Sequence, residues 1–283
     1  MNSTIPSAPE RKQQAAPDGL LRFIPLLSLL AALLLVPTSR AETTSASGAE
    51  EITSLPATIT LPGTYYLRQN LQVNMTAPGA ALLIQADDVT IDLNGHTITN
   101  LAAGPQVWTE GIHGRNRKNV IVRNGTVVGF QIGVDFDSDS LTDSALSSGH
   151  LVEDVHVTKC NCFGIVLTGG NGTVRRCRLD KIGGNSLRND YWPSAIAIVG
   201  PNQRVLDCDI GETLVNAWGG GTVGILCLNT TDAILEGNRV CQVTHAIAYN
   251  GASTFKYRNT LTGFGMTIPY WVGSGGVDAG GNN

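Results

Sequence analysis

The chain repeats itself. Seven segments read as a short strand, a turn and a second short strand: "IDLNGHTI" ending at Ile98, "VRNGTV" at Val127, "VEDVHV" at Val157, "VRRCRL" at Leu179, "VLDCDI" at Ile210, "LEGNRV" at Val240 and "KYRNTL" at Leu261. Between them a small residue introduces alternating apolar residues: "GIHG" from Gly111, "GVDF" from Gly133, "GIVL" from Gly164, "AIAI" from Ala195, "GILC" from Gly224 and "AIAY" from Ala246. Without extra residues the unit is about 21–22 residues, enough for three short strands that alternate inside and outside. One unit cannot bury its own apolar face. The units must therefore stack, each covering the next, into an all-β solenoid.

Composition agrees with many short strands and tight corners. Hydrophobic residues make up 42% and charged residues 15%, too apolar for a disordered chain. The 33 Gly, and many Asn, supply the positive φ that corners need. The net charge is −4 and there is no basic stripe, which argues against nucleic acid or an anionic membrane surface as partner. The N-terminus reads as an export signal. Arg11, Lys12 and Arg22 precede an apolar run, Phe23 to Val36, that is shorter than the ~20 residues of a spanning helix. Ser39 and Ala41 then stand at −3 and −1 of a cut before Glu42. The alternative is an uncleaved anchor. Export to a secreted or periplasmic location permits disulfides among the six Cys. The expected organisation is a signal peptide over 1–41, a linker over 42–51, the solenoid with its N-terminal cap over 52–265 and a Gly-rich tail or cap over 266–283.

The runs "ADDVTIDLNGHTI" and "NVIVRNGTVVGF", followed by "GI" or "GV" strands, resemble the right-handed parallel β-helix proteins of the pectate-lyase-like superfamily. The resemblance covers roughly residues 52–265 and implies a right-handed parallel β-helix of about seven coils. That superfamily includes polysaccharide lyases, epimerases, glycosidases, adhesins and phage fibres, so the fold alone names no chemistry.

Alternation assigns the faces. With Ile165 and Leu167 inside, Ile112, Val134, Phe136, Ile196, Ile225 and Ile247 are also inside. The outward row then begins polar, with His113, Arg115, Asp135 and Asp137, and ends apolar, with Ala197, Leu226 and Ala248. Adjacent strands lie ~4.8 Å apart, so His113 should neighbour Asp135 and Arg115 should neighbour Asp137. Two cross-strand ion pairs on a solvated face are one reading. A catalytic centre is the other, because the resemblance places the chemistry of this fold on that outward sheet. For a lyase or epimerase it implies His113 or Arg115 as base, with Asp135 and Asp137 as orienting or metal groups. For a hydrolase, Asp135 and Asp137 would be acid and base.

Insertions at roughly 99–110, 183–194 and 212–223 bring Trp108, Tyr191 with Trp192, and Trp218 to one corner of that sheet. These rings suit sugar stacking, or alternatively cover the apolar outward residues. A further insertion, "DSDSLTDSALSSGH" at 137–150, is acidic; Asp137, Asp139 and Asp143 could offer oxygen ligands to Ca²⁺. Cys177 and Cys208 should stack in neighbouring coils, as a disulfide or as free buried thiols. The function expected is an exported, monomeric β-helix that processes or binds glycan, the alternative being a non-catalytic binding or structural module.

Overall fold

A computed structural model describes residues 48–141, 143–186, 192–216, 221–251, 253–262, 268–271 and 276–282. The predicted signal peptide, and most of the linker after it, lie outside these residues. Among them no helix is long and apolar enough to cross a membrane.

Nine strands stack in chain order to make one sheet: Ala57–Ile59, Gly79–Ile84, Thr109–Arg115, Ile132–Asp137, Phe163–Thr168, Ser194–Val199, Val223–Leu228, His245–Asn250 and Ile268–Trp271. Every neighbouring pair is parallel. Most of the other strands join a 16-stranded sheet that holds two rows, and Ile182–Gly183 pairs with Thr213–Leu214 in a separate two-stranded sheet. Ile121–Val128 and Leu151–Thr158 run through the corner between those rows and pair with both. The fold is a parallel β-helix, right-handed as parallel crossovers within one sheet nearly always are.

The predicted inward residues form the ladder. Val134 pairs with Ile165, Ile165 with Ile196, Ile196 with Ile225 and Ile225 with Ile247, and all are fully buried. Burying a side chain of this size stabilises by about 1.5–3 kcal/mol. Tyr249, two residues past Ile247 and so inward by alternation, is only partly buried.

Corners are made by residues with left-handed backbone. Asn124, Asp154, Asp207 and Gly237 all have positive φ, as does the non-glycine, non-Asx residue Arg176. Its guanidinium is held by Asp154 and Glu153 on the coil before it, 2.7 and 2.9 Å away. Inside the corner at Gly237, Asn238 replaces apolar packing with hydrogen bonds: its Nδ2 donates to Val205 O (2.9 Å) and its Oδ1 accepts from Cys208 N (3.0 Å). All six cysteines carry free thiols, and five are buried, Cys177 and Cys208 among them.

The stack runs past the predicted ends of the solenoid. Glu50–Glu51, in the predicted linker, pairs with Tyr65 and Tyr66. Ile268–Trp271 and Gly276–Asp278, in the predicted tail or cap, add parallel strands to the two sheets.

Candidate functional site

The polar part of the outward row lies where two adjacent strands, Thr109–Arg115 and Ile132–Asp137, pair in parallel. His113 is opposite Asp135 and Arg115 is opposite Asp137, as alternation predicts. A fifth residue was not legible from that alternation. Gly111 and Ile112 are both buried, so the strand turns inward twice in succession. A Cβ on Gly111 would meet Gly133 O at 2.4 Å and Val127 Cγ1 at 2.6 Å, so only glycine permits this close approach. After the slip, Glu110 and His113 emerge on one face. Strict period-2 counting assigns Glu110 to the interior with Ile112; the small residue at the head of each "G-apolar" strand was the available signal.

His113 sits among three carboxylates. Its Nδ1 lies 2.8 Å from Glu110 Oε2 and 3.9 Å from Asp135 Oδ2, and its Nε2 lies 3.8 Å from Asp137 Oδ1. The Glu110 contact is short, yet Nδ1 has no aligned hydrogen-bond partner. Asp135 Oδ1 and Asp137 Oδ1 are buried without one as well. Simple surface ion pairs would leave no such buried, unsatisfied oxygens.

Electrostatics follow from burial. Desolvation, with Glu110 adding to it and His113 opposing, pushes the Asp135 carboxyl up to about 8. Burial likewise raises Asp137. Burial of the His113 ring works to lower its pKa, but Glu110, Asp135 and Asp137 outweigh it and the net shift is upward. Farther out, Arg115 Nη1 is 3.4 Å from Asp137 Oδ2, and Arg115 also pairs with Asp139. Hydrogen bonds from Asn116 and Arg115 hold Asp139 below the usual carboxylate range.

The residues predicted to bind metal behave differently from one another. Asp137 and Asp139 are turned to Arg115, while Asp143 Oδ1 accepts from Ala145 N at 2.8 Å and caps its own turn. These three do not converge as ligands. Among the described residues the group that does is Glu110, His113 and Asp135, whose donor atoms all lie within 4.8 Å of one another.

Of the predicted sugar-stacking residues, Tyr191 and Trp218 lie outside the described residues. Trp108 is 38% exposed at the start of the Glu110 strand. Trp192 instead stacks on His245, with ring centroids 5.1 Å apart and planes 9° apart. At that end of the row the outward residues Ala197, Val199 and Ala248 are buried. The polar end stays accessible at Arg115, which also lines an open hollow of about 410 Å³ with Leu83, Ile84, Gln85 and Arg117.

No protein-family model matches the chain, and no curated protein matches its sequence. Solved structures similar to it include the following three. One is the enzymatically active domain of tailspike protein 2 of bacteriophage CBA120, 13% identical, covering 83% of this chain and 39% of that one, with a TM-score of 0.42. Another is the tailspike of E. coli bacteriophage HK620, 15% identical over 76% of this chain and 39% of that one, TM-score 0.38. The third is the A-module of the Azotobacter vinelandii mannuronan C-5 epimerase, 12% identical over 76% of this chain and 80% of that one, TM-score 0.27. The chain thus spans 39% of the length of each of the two tailspikes.

Proposed function

We propose that this β-helix processes an acidic polysaccharide on the outward face of the nine-stranded sheet, by removing a proton from a sugar ring carbon next to a carboxylate. The observation that supports this reading is the set of three carboxylates around His113, two of them with buried oxygens that nothing in the protein satisfies. Elimination and epimerisation of uronates both need a base at the ring carbon and positive charge at the sugar carboxylate. Asp137 is the base in this proposal: its side chain is 30% exposed, the most accessible of those carboxylates. Arg115, 49% exposed and next along the row, receives the sugar carboxylate. Glu110, His113 and Asp135 form the polar floor against which Asp137 is held.

The hydrolytic reading, with Asp135 as acid, fits less well. The Asp135 side chain is 9% exposed, behind Asp137, and its proton would have to reach a glycosidic oxygen. We also infer that the chain acts outside the cytoplasm, from the N-terminal apolar run and its cleavage signature.

The purified domain should be assayed on polyuronates and on neutral glycans, reading unsaturated product by ultraviolet absorbance and epimerisation by proton NMR. Turnover of a polyuronate, lost in Asp137→Asn and weakened in Arg115→Ala, is expected. No turnover of any uronate, with glycan binding unchanged in both variants, overturns the reading and leaves a non-catalytic module.

A further inference from the structure

We propose that Glu110, His113 and Asp135 together hold one divalent first-row transition-metal ion, of the zinc or manganese kind. As a role in catalysis this rests on the reading above; as a binding site it does not.

Geometry carries the inference. Glu110 Oε2 and Asp135 Oδ2 both face His113 Nδ1, at 2.8 and 3.9 Å, and the three donors lie within 4.8 Å of one another. Ligand bonds of about 2.0–2.2 Å place two donors on one ion at most ~4.4 Å apart, so small side-chain adjustments bring all three onto it. The Glu110 carboxylate already lies 2.8 Å from His113 Nδ1, about the separation of neighbouring ligands on one ion.

Asp135 provides the independent observation. More than nine-tenths of its side chain is buried, and its Oδ1 has no partner. A carboxylate removed from water needs a compensating cation or donor. Nothing in the protein supplies one to Oδ1, and an ion held through Oδ2 of the same carboxylate would compensate its charge.

The other side of the imidazole fits too. Nε2 faces Asp137 Oδ1 at 3.8 Å. A ligating histidine ordinarily presents its second nitrogen to a carboxylate, which fixes ring orientation and raises ligand basicity. One imidazole with two carboxylates selects a borderline ion. Calcium takes six to eight oxygens and does not favour imidazole. The acidic loop first read as a calcium site has its Asp137 and Asp139 engaged by Arg115. Three protein ligands leave coordination positions open to solvent or substrate, where the ion would polarise a sugar carboxylate oxygen as a Lewis acid.

The test is calorimetric titration of the chelator-treated full chain with Zn²⁺, Mn²⁺ and Ca²⁺, with Co²⁺ added in parallel for its visible spectrum. We expect one Zn²⁺ per chain, binding at least tenfold tighter than Ca²⁺, and a cobalt spectrum. His113→Ala should abolish binding. Glu110→Gln and Asp135→Asn, which keep side-chain shape, should each weaken it tenfold or more, and Asp143→Asn should leave it unchanged. Circular dichroism confirms that each variant folds. Absence of Zn²⁺ and Mn²⁺ binding, or binding unaltered by Glu110→Gln and Asp135→Asn, overturns the site. Polyuronate turnover by the metal-free chain would remove the ion from the reaction while leaving the polysaccharide reading intact. Stoichiometric Zn²⁺ binding without turnover would do the reverse.

Discussion

His113 and Asp135 stand directly opposite each other on adjacent parallel strands, Nδ1 3.9 Å from Oδ2, in the charged part of the outward row. Their neighbours inside, Ile112 and Val134, are also paired and fully buried. The site is thus built directly on the core ladder, and its geometry is as rigid as the stack beneath it.

That position has a stability cost. Asp135 keeps a carboxyl oxygen buried without a partner, and a buried polar atom left without a hydrogen bond is destabilising. Asp135→Asn in the metal-free protein is expected to raise stability by about 1 kcal/mol, measured by urea denaturation. A loss of stability instead would mean that the carboxyl has a structural partner.

The slip that brings Glu110 beside His113 depends on backbone approach at the small residue of each coil. At Gly133 a Cβ would lie 2.4 Å from Val157 Cγ1 and 2.7 Å from Gly164 O. Gly133→Ala should destabilise by about 1–3 kcal/mol, as overpacking does. It should also lower activity, since it shifts the strand that carries Asp135. Ala195 and Ala246, at the same position in later coils, already accommodate the methyl group; Ala195→Gly is expected to change stability by under about 1 kcal/mol. Thermal melts of the two variants test the contrast.

His150 sets an acid limit on the fold. It is buried, stacked on Phe136 at 4.6 Å, and hydrogen-bonded to Ser147 Oγ at 2.9 Å. Burial lowers its pKa to about 4, against smaller upward contributions from the Arg117 backbone and the Asp87 charge. Between its unfolded value near 6.5 and about 4, the unfolded chain binds the extra proton. Stability is therefore complete above pH ~6.5, falls as pH drops through that window and levels off below 4, by about 3 kcal/mol in all. His150→Gln should flatten this part of the pH–stability curve. An unchanged slope would assign the acid sensitivity elsewhere.

Trp108 and Trp192 are expected to separate. Trp192 stacks on His245 over the covered end of the row, whereas Trp108 is 38% exposed beside the polar end. Trp108→Ala should weaken glycan binding several-fold with little change in melting temperature. Trp192→Ala should lower the melting temperature, with binding little altered. Calorimetric binding and thermal melts on both variants check this, and reversed outcomes would move the glycan to the other end.

Period and alternation alone determined that this chain stacks short strands into an all-β solenoid, and the family resemblance made that solenoid a parallel β-helix. They also determined that His113 neighbours Asp135 and Arg115 neighbours Asp137, because a side chain's face on a strand depends only on parity, and parity is written in the apolar residues. Tertiary structure decided what parity cannot carry. Glu110 joins the site because two consecutive residues turn inward where Gly111 passes close to the next coil. Asp139 is taken by Arg115 because side chains choose partners by distance in space. The stack continues into Ile268–Trp271 and Gly276–Asp278 because strand pairing through the backbone needs no repeat motif in the side chains.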